Sequence, residues 1–392
     1  MANQFTETLG LRRNLVLLLA AIVLVGAGEE MWVRFVPKYL DTLGAGVFVI
    51  GLYDGLKTAL AAVYAYPGGV IADRWGHRRA FVTFSLVSVA GYVVMLSASH
   101  WAAVIGGMVL FIAYANLGQP AMFSLVASSL PASKMVMGIG VQSLVKRVPI
   151  IVGPIAGGWL LDRFGVKDGV RIGVVASIVL TGISALLQGR IKDGTPSGIN
   201  LSFGETLRAF DPRLKRLLAS DVLVRFCERI PAAWLVIYAM DHVHVSATQV
   251  GLLTAMEMAT AIVCYLPVAH FADRRGKEPF VVVTFVFFTL FPLALWIAGS
   301  FWMLALAFVI RGLKEFGDPS RKALIVTYAP PHAKAQTVGA YYLIRDLAVS
   351  TGAIVGGLAW RAAPEVNFLV AAGVGAMGTL YYIAGQRRGI IG

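Results

Sequence analysis

Residues 68–79 read GGVIADRWGHRR, and residues 269–280 read AHFADRRGKEPF. Both carry Ala-Asp-Arg-x-Gly, with Asp73 and Asp273 separated by 200 residues. At the same offset Gly51 matches Gly251, Asp41 matches Asp241 and Pro67 matches Pro267. Further on, GPIAGG at 153–158 answers GAIVGG at 352–357. A repeat of such long period means two copies of one multi-element unit, and each unit must be read before the whole. Both copies of the motif end a long apolar run, so the repeated element is a set of apolar helices joined by short basic turns.

The rest of the chain agrees. Of 392 residues 58% are hydrophobic and only 14% are charged. A soluble protein needs about 25% charged residues to cover its surface, so most of this surface is expected to face lipid. Apolar segments fall near 13–40, 47–72, 79–98, 101–129, 136–161, 170–188, 216–241, 247–271, 279–298, 301–329, 335–360 and 366–386. Each reaches the ~20 residues that a crossing helix needs, and none shows the ~10-residue alternation of an outer-membrane strand. The run from Leu15 to Gly28 continues past Glu29 and Glu30 and reads as the first span, not as a cleaved signal peptide. The net charge of +13 sits in short loops between spans, which encodes orientation and argues against nucleic acid. With both termini cytoplasmic, 20 Lys and Arg lie inside against 5 outside. The polar stretch 189–215 is the expected cytoplasmic linker between an N-terminal half, 1–188, and a C-terminal half, 216–392, with a short interfacial helix near 203–210. Cys227 and Cys264 lie mid-span and give neither a disulfide framework nor a zinc site.

Residues Gly69, Asp73, Arg74, Gly76 and Arg78 resemble the signature of the major facilitator superfamily between its second and third helices, with His77 in place of the first basic residue. Gly69 permits close helix approach, Asp73 can pair with a cation or cap a helix at the membrane face, and Gly76 makes the tight turn. In that family the motif latches the two halves. The second copy, with Asp273 and Arg274, departs from it through Ala269 and Glu278. Gly153, Pro154, Gly157 and Gly158 are similar to a fifth-helix motif of the drug/proton antiporters, where Gly and Pro allow a kink and close packing between halves; ordinary small-residue packing is the plain alternative. The fourth-helix arginine of that group is absent: Tyr114 stands four residues before Gly118. The resemblance implies an all-α polytopic membrane protein of two six-helix bundles related by a pseudo-twofold axis.

Ionisable residues inside spans are costly and are functional candidates by default. The spacing puts Glu30 with Arg34, Asp221 with Arg225, Arg311 with Glu315 and Lys314 with Asp318, all i,i+4. In the resembled fold, helices one, four, seven and ten line the cavity. That implies a solute site from Glu29, Glu30, Arg34, Tyr114, Asn116, Gln119, Arg225, Glu228, Arg229, Arg311, Lys314, Glu315 and Asp318, with Trp32, Trp234 and Tyr238 as stacking surface or as anchors at the membrane interface. The same resemblance packs helix two on eleven and five on eight, so Lys57 would face Asp346, and Glu257 would face Lys146 or Arg147. Glu30, Glu29 and Asp346 are the expected proton carriers.

No catalytic constellation and no phosphate-binding loop is present, which excludes direct use of ATP. His242 and His244 lack an evident third metal ligand beyond Asp241. The expectation is a non-enzymatic inner-membrane transporter without cofactor or metal, monomeric, exporting a small charged or amphipathic solute with protons. The alternatives are an uptake symporter or facilitator for a charged metabolite, and a non-transporting sensor on this scaffold.

Overall fold

The computed structural model describes residues 13–118, 122, 125, 135–191, 207–208, 210–275, 278–328 and 334–387. Every regular element among them is a helix. Nine stretches are long and apolar enough to cross a membrane, from Arg13–Thr42 to Pro364–Gln386. One of these, Val145–Gln188, is two helices joined at Gly165. With Pro212–Ala232 and the pair Phe301–Leu313 and Asp318–Thr327 added, the described residues hold the twelve spans expected. Most of the linker and the proposed interfacial helix lie outside the described residues.

Three turns between spans use a left-handed glycine: Gly44 at φ 79°, Gly76 at φ 82° and Gly165 at φ 80°. A Cβ is strained there, and glycine is not. Gly76 thus lets His77–Ser97 start directly after Val47–Trp75. Polar side chains close other helix starts: Asp211 accepts from Arg213 N at 2.7 Å, and Ser300 accepts from Met303 N at 3.4 Å.

The spans differ in continuity. Val47–Trp75 and Ala247–Arg275 each run 29 residues unbroken. The first span stops at Glu29 and resumes at Val36 after a 3-10 turn, Val33–Phe35. The fourth closes at Phe111 and resumes after Ile112. The seventh ends at Ala232, just past Pro231, and finishes in a π turn, Tyr238–His242. The tenth ends at Leu313 and resumes at Asp318. Irregular backbone at membrane depth is tolerated only inside protein or along a cavity, and transporters build their sites on such discontinuous spans.

The chain divides into two compact units. Unit 1 is Met1–Gly44 with Leu60–Ile199, and unit 2 is Ala45–Ala59 with Asn200–Gly392. The division does not follow the repeat alone, because the first half of the second span clusters with unit 2. Unit 1 is centred on Leu15, Leu18, Phe81, Phe84 and Tyr114, and unit 2 on Leu214, Leu217, Val281, Phe285 and Tyr341.

The glycine motifs have the same use in both units. An added Cβ on Gly153 would meet Glu30, and one on Gly157 would meet the carbonyl of Met31. In unit 2, Gly352 lies against Arg229 and Gly356 against the carbonyl of Ile230. These pairs keep one offset: 153 to 352, 157 to 356, 30 to 229 and 31 to 230. The sequence reading placed Gly153 and Pro154 between the halves. The structure corrects this: Gly153 and its partner Gly157 bring the fifth span against the break in the first, inside unit 1. The reason is that a broken helix needs a neighbour close to its unpaired backbone.

Candidate functional site

Unit 2 holds a connected ladder of charges on spans seven, eight, ten and eleven. Arg311 meets Glu257 at 3.1 Å, and Lys314 meets Glu257 at 3.6 Å. Lys314 also binds Glu228, which Arg225 holds at 3.0 Å. Arg225 continues to Asp318 at 3.5 Å and Asp221 at 4.0 Å. Arg321 joins those two acids, Tyr341 donates to Asp221 at 3.0 Å, and Arg345 reaches Asp221 at 3.5 Å and Asp346 at 2.7 Å. The members are half-buried to fully buried. Each charge out of water is costly unless opposed, and here cations and acids alternate.

Phe288 supports the middle of the ladder. Its ring lies 4.9 Å from the Arg225 guanidinium and 5.7 Å from the Lys314 ammonium. Phe291 and Phe308 do the same for Arg311, at 5.3 Å and 5.9 Å. A ring face attracts a desolvated cation by up to ~2 kcal/mol. Sequence reasoning missed these phenylalanines, because aromatics of the ninth and tenth spans look like any other apolar residue.

Two of the four same-helix pairs form, loosely: Glu30 with Arg34 at 3.5 Å and Asp221 with Arg225 at 4.0 Å. The other two give way to other partners. Arg311 turns to Glu257, and Lys314 to Glu228 and Glu257. The cause is the break after Leu313: Lys314 caps one helix and Asp318 opens the next, so i,i+4 geometry does not hold between them. Glu315 sits in the turn between the two pieces. Glu257, expected to face Lys146 or Arg147, is held by Arg311 and Lys314. Lys146 is exposed and Arg147 half-buried on the fifth span of unit 1. From the second span Asp54 binds Arg229, one guanidinium nitrogen lying 3.1 and 3.0 Å from the two carboxylate oxygens. Asp346, expected opposite Lys57, is bound by its neighbour Arg345.

Unit 1 presents a different interior. Tyr92 donates to Glu29. Gln188 donates to Tyr114 Oη at 3.1 Å and Ser184 Oγ at 2.8 Å and accepts from Ser85 at 3.1 Å. Tyr114 is 3% exposed, and its hydroxyl is taken up by Gln188. Asn116 donates to the carbonyl of Ile112 in its own helix at 2.8 Å. Trp32 and Trp234 are also core residues: Trp32 donates to Ser177 at 2.8 Å, and Trp234 stacks on Trp360 at 5.2 Å. Tyr238 stacks on His242, and its hydroxyl donates to the carbonyl of Ala298 at 2.9 Å. A tryptophan or tyrosine in a span is read as amphipathic, yet Trp32 and Tyr238 give their N–H and O–H to partners within their own units, and Trp234 packs its indole on another ring. Gln119 lies outside the described residues, as do the side chains of Gly69, Asp73, Arg74, Asp273 and Arg274; Arg78 is exposed.

Comparison with known proteins agrees with this architecture. The family model described as Major Facilitator Superfamily matches residues 17–227 and 217–389. Multidrug resistance protein MdtG of Serratia proteamaculans is 23% identical over 367 residues, covering 88% of this chain and 86% of its own. A multi-drug resistance efflux pump PmrA homolog of Lactococcus lactis is 21% identical over 368 residues, covering 90% and 89%. A POT family transporter solved with 5-aminolevulinic acid superposes with a TM-score of 0.82 at 14% identity, covering 97% of each chain. The nucleoside transporter NupG gives a TM-score of 0.79 at 14% identity, covering 95% of this chain and 99% of its own. With twelve helical spans, charges concentrated on interrupted spans and a family match over nearly its whole length, the chain belongs to the Major Facilitator Superfamily and is a multi-pass membrane transporter, not an enzyme.

Proposed function

We propose that the protein is a secondary exporter that moves a small charged or amphipathic organic solute by alternating access, coupled to protons. The observation that carries this reading is the mixed-sign ladder on the broken seventh and tenth spans. Arg225, Glu228, Arg311, Lys314 and Asp318 each hold a partner that a charged group of a solute could replace, so binding exchanges ion pairs instead of creating bare charges. Glu29, Glu30 and Arg34, on the broken first span, and Arg229 complete the solute-binding set, with Glu315 in the tenth-span turn. The names of the MdtG and PmrA-type relatives support export and breadth of solute.

Glu30, Glu29 and Asp346 are the proposed proton carriers. Glu30 lies 3.5 Å from Arg34 and Asp346 lies 2.7 Å from Arg345. A carboxyl whose arginine moves away binds a proton more readily, and loses it when the arginine returns. Gly69, Asp73, Arg74, Gly76 and Arg78, with Asp273 and Arg274, serve as the conformational latch; Lys57, Lys146, Arg147 and Glu257 are its further ionic members. The excess of basic residues in the loops assigned to the inner side supports an inner-membrane location with both termini cytoplasmic, and the proposed working unit is a monomer.

The test uses purified protein in proteoliposomes with ethidium as the cationic probe and a zwitterionic fluoroquinolone as the second. An imposed pH gradient should drive accumulation of at least one probe, and Lys314→Ala should remove it. At least one of Glu29→Gln, Glu30→Gln and Asp346→Asn should uncouple flux from the gradient. Movement of neither probe, or normal coupling in all three amide variants, would sink the export and proton assignments respectively.

A further inference from the structure

The first half of the second span is joined to unit 2 by a contact that has the form of a releasable clasp. Gly51 and Gly55 are one turn apart on that helix. A Cβ on Gly51 would meet the carbonyl of Ala353, and a Cβ on Gly55 would lie 3.0 Å from the carbonyl of Ser350 and 3.6 Å from the Ala353 Cβ. The two glycines thus let backbone lie on backbone, with little side-chain area to hold it. Between them in sequence, Asp54 projects its carboxylate onto Arg229 at 3.0 and 3.1 Å, both groups half-buried. Gly352 leaves the space in which the Arg229 side chain lies. The Asp54–Arg229 pair therefore stands on a smooth glycine face. Such a face packs backbone on backbone by dispersion, without interlocking side chains, and the charge pair adds a directional bond to it.

We infer that Asp54 is a gating residue, and that the Asp54–Arg229 pair holds segment 47–59 on unit 2 in one state of the cycle and parts in another. The inference rests on the alternating-access reading above. It assigns to Arg229 a second duty: when Asp54 leaves, its guanidinium becomes available to an anionic group of the solute. Asp346, the nearby acid on the eleventh span, is held by Arg345 and does not take Asp54's place.

The decisive readout needs no solute. Ala353 is buried beneath Gly55, at 1% exposure. In a Cys264→Ser background, Ala353→Cys reports on the clasp through its rate of modification by N-ethylmaleimide, and native Cys227, fully buried elsewhere in unit 2, is the internal reference. A pair worth about 1.4 kcal/mol changes the open population tenfold. Asp54→Asn and Arg229→Gln should each raise labelling at 353 about tenfold by that measure, with Cys227 unchanged. The exchanged pair D54R/R229D should bring it back toward the parent rate. Unchanged labelling at 353, or a rise shared equally by Cys227, overturns the inference. The Gly55–Ala353 Cβ separation of 3.6 Å also suits a disulfide. Oxidised G55C/A353C should stop ethidium flux in proteoliposomes, with dithiothreitol restoring it. Full-rate flux in the oxidised protein overturns the gating role. A parent protein that moves no ethidium counts against the proposed function, while the labelling still decides the clasp.

Discussion

The two units are built on one repeat but filled with different chemistry. Unit 1 satisfies its interior mostly with neutral groups: Gln188, Ser85, Ser184 and Tyr114 form one hydrogen-bonded set, and Trp32 with Ser177 another, with Glu29 on Tyr92 and Glu30 on Arg34 among its charged contacts. Unit 2 satisfies its interior with ions, from Arg311 and Glu257 through Arg321 to Arg345. The equivalent positions Glu30 and Arg229 make the contrast plain. Each sits at the end of a broken helix under a glycine, yet one is an acid and the other a base. Fold in this chain depends on where backbones approach, and that is common to both units. The chemistry is independent of it and was assigned to each unit separately.

The comparison breaks most readily at Asp221. This carboxylate is fully buried and is shared by Arg321, Arg345 and Tyr341. Asp221→Asn should cost roughly 3–5 kcal/mol, the penalty for stranding buried partners, read as a large fall in melting temperature in detergent. A loss below about 1 kcal/mol would mean that the ladder is solvated, as an exposed pair would be. The next effect tests what the units share. Gly157→Ala and Gly356→Ala both drive a methyl into a carbonyl, of Met31 and Ile230 respectively. Each should destabilise by about 1–3 kcal/mol, and a cost confined to one unit would show that the glycine contacts are not equivalent. The smallest effect lies at the ladder's edge. Lys322, more than half exposed, meets Asp318 at 2.6 Å. Lys322→Ala should change stability by at most about 1 kcal/mol and by less in high salt.

The shared part of this comparison was legible in the sequence, and the divergent part only in pieces. The Ala-Asp-Arg-x-Gly pair and the matched glycines gave the repeat, and long apolar runs gave the spans, because lipid imposes length and hydropathy directly. The breaks at Glu29, Ala232 and Leu313 were not legible. A uniformly apolar run carries no mark of where a neighbour's glycine will approach, and those breaks decided the ion pairs. Lys314 was assigned to Asp318 on helical spacing that does not exist there. Residues such as Arg225, Glu228 and Arg311 were still found as candidates, since a charge in a span is conspicuous whatever its partner. Phe288 and Asp54 gained their roles only through distance in space.

The seventh span has a consequence for how the protein is made. Pro212–Ala232 is not among the stretches apolar enough to cross a membrane, and it carries Asp221, Arg225, Glu228 and Arg229. Each Asp or Arg near a helix centre opposes entry into the bilayer by roughly 2.5–3.5 kcal/mol. Arg225 meets Asp221 within the span at 4.0 Å, but Arg321 and Arg345, which share that acid, leave the ribosome about a hundred residues later. The order of synthesis therefore need not be the order of insertion in unit 2. The seventh span is expected to settle across the bilayer only once the tenth and eleventh bring Arg321 and Arg345 to Asp221.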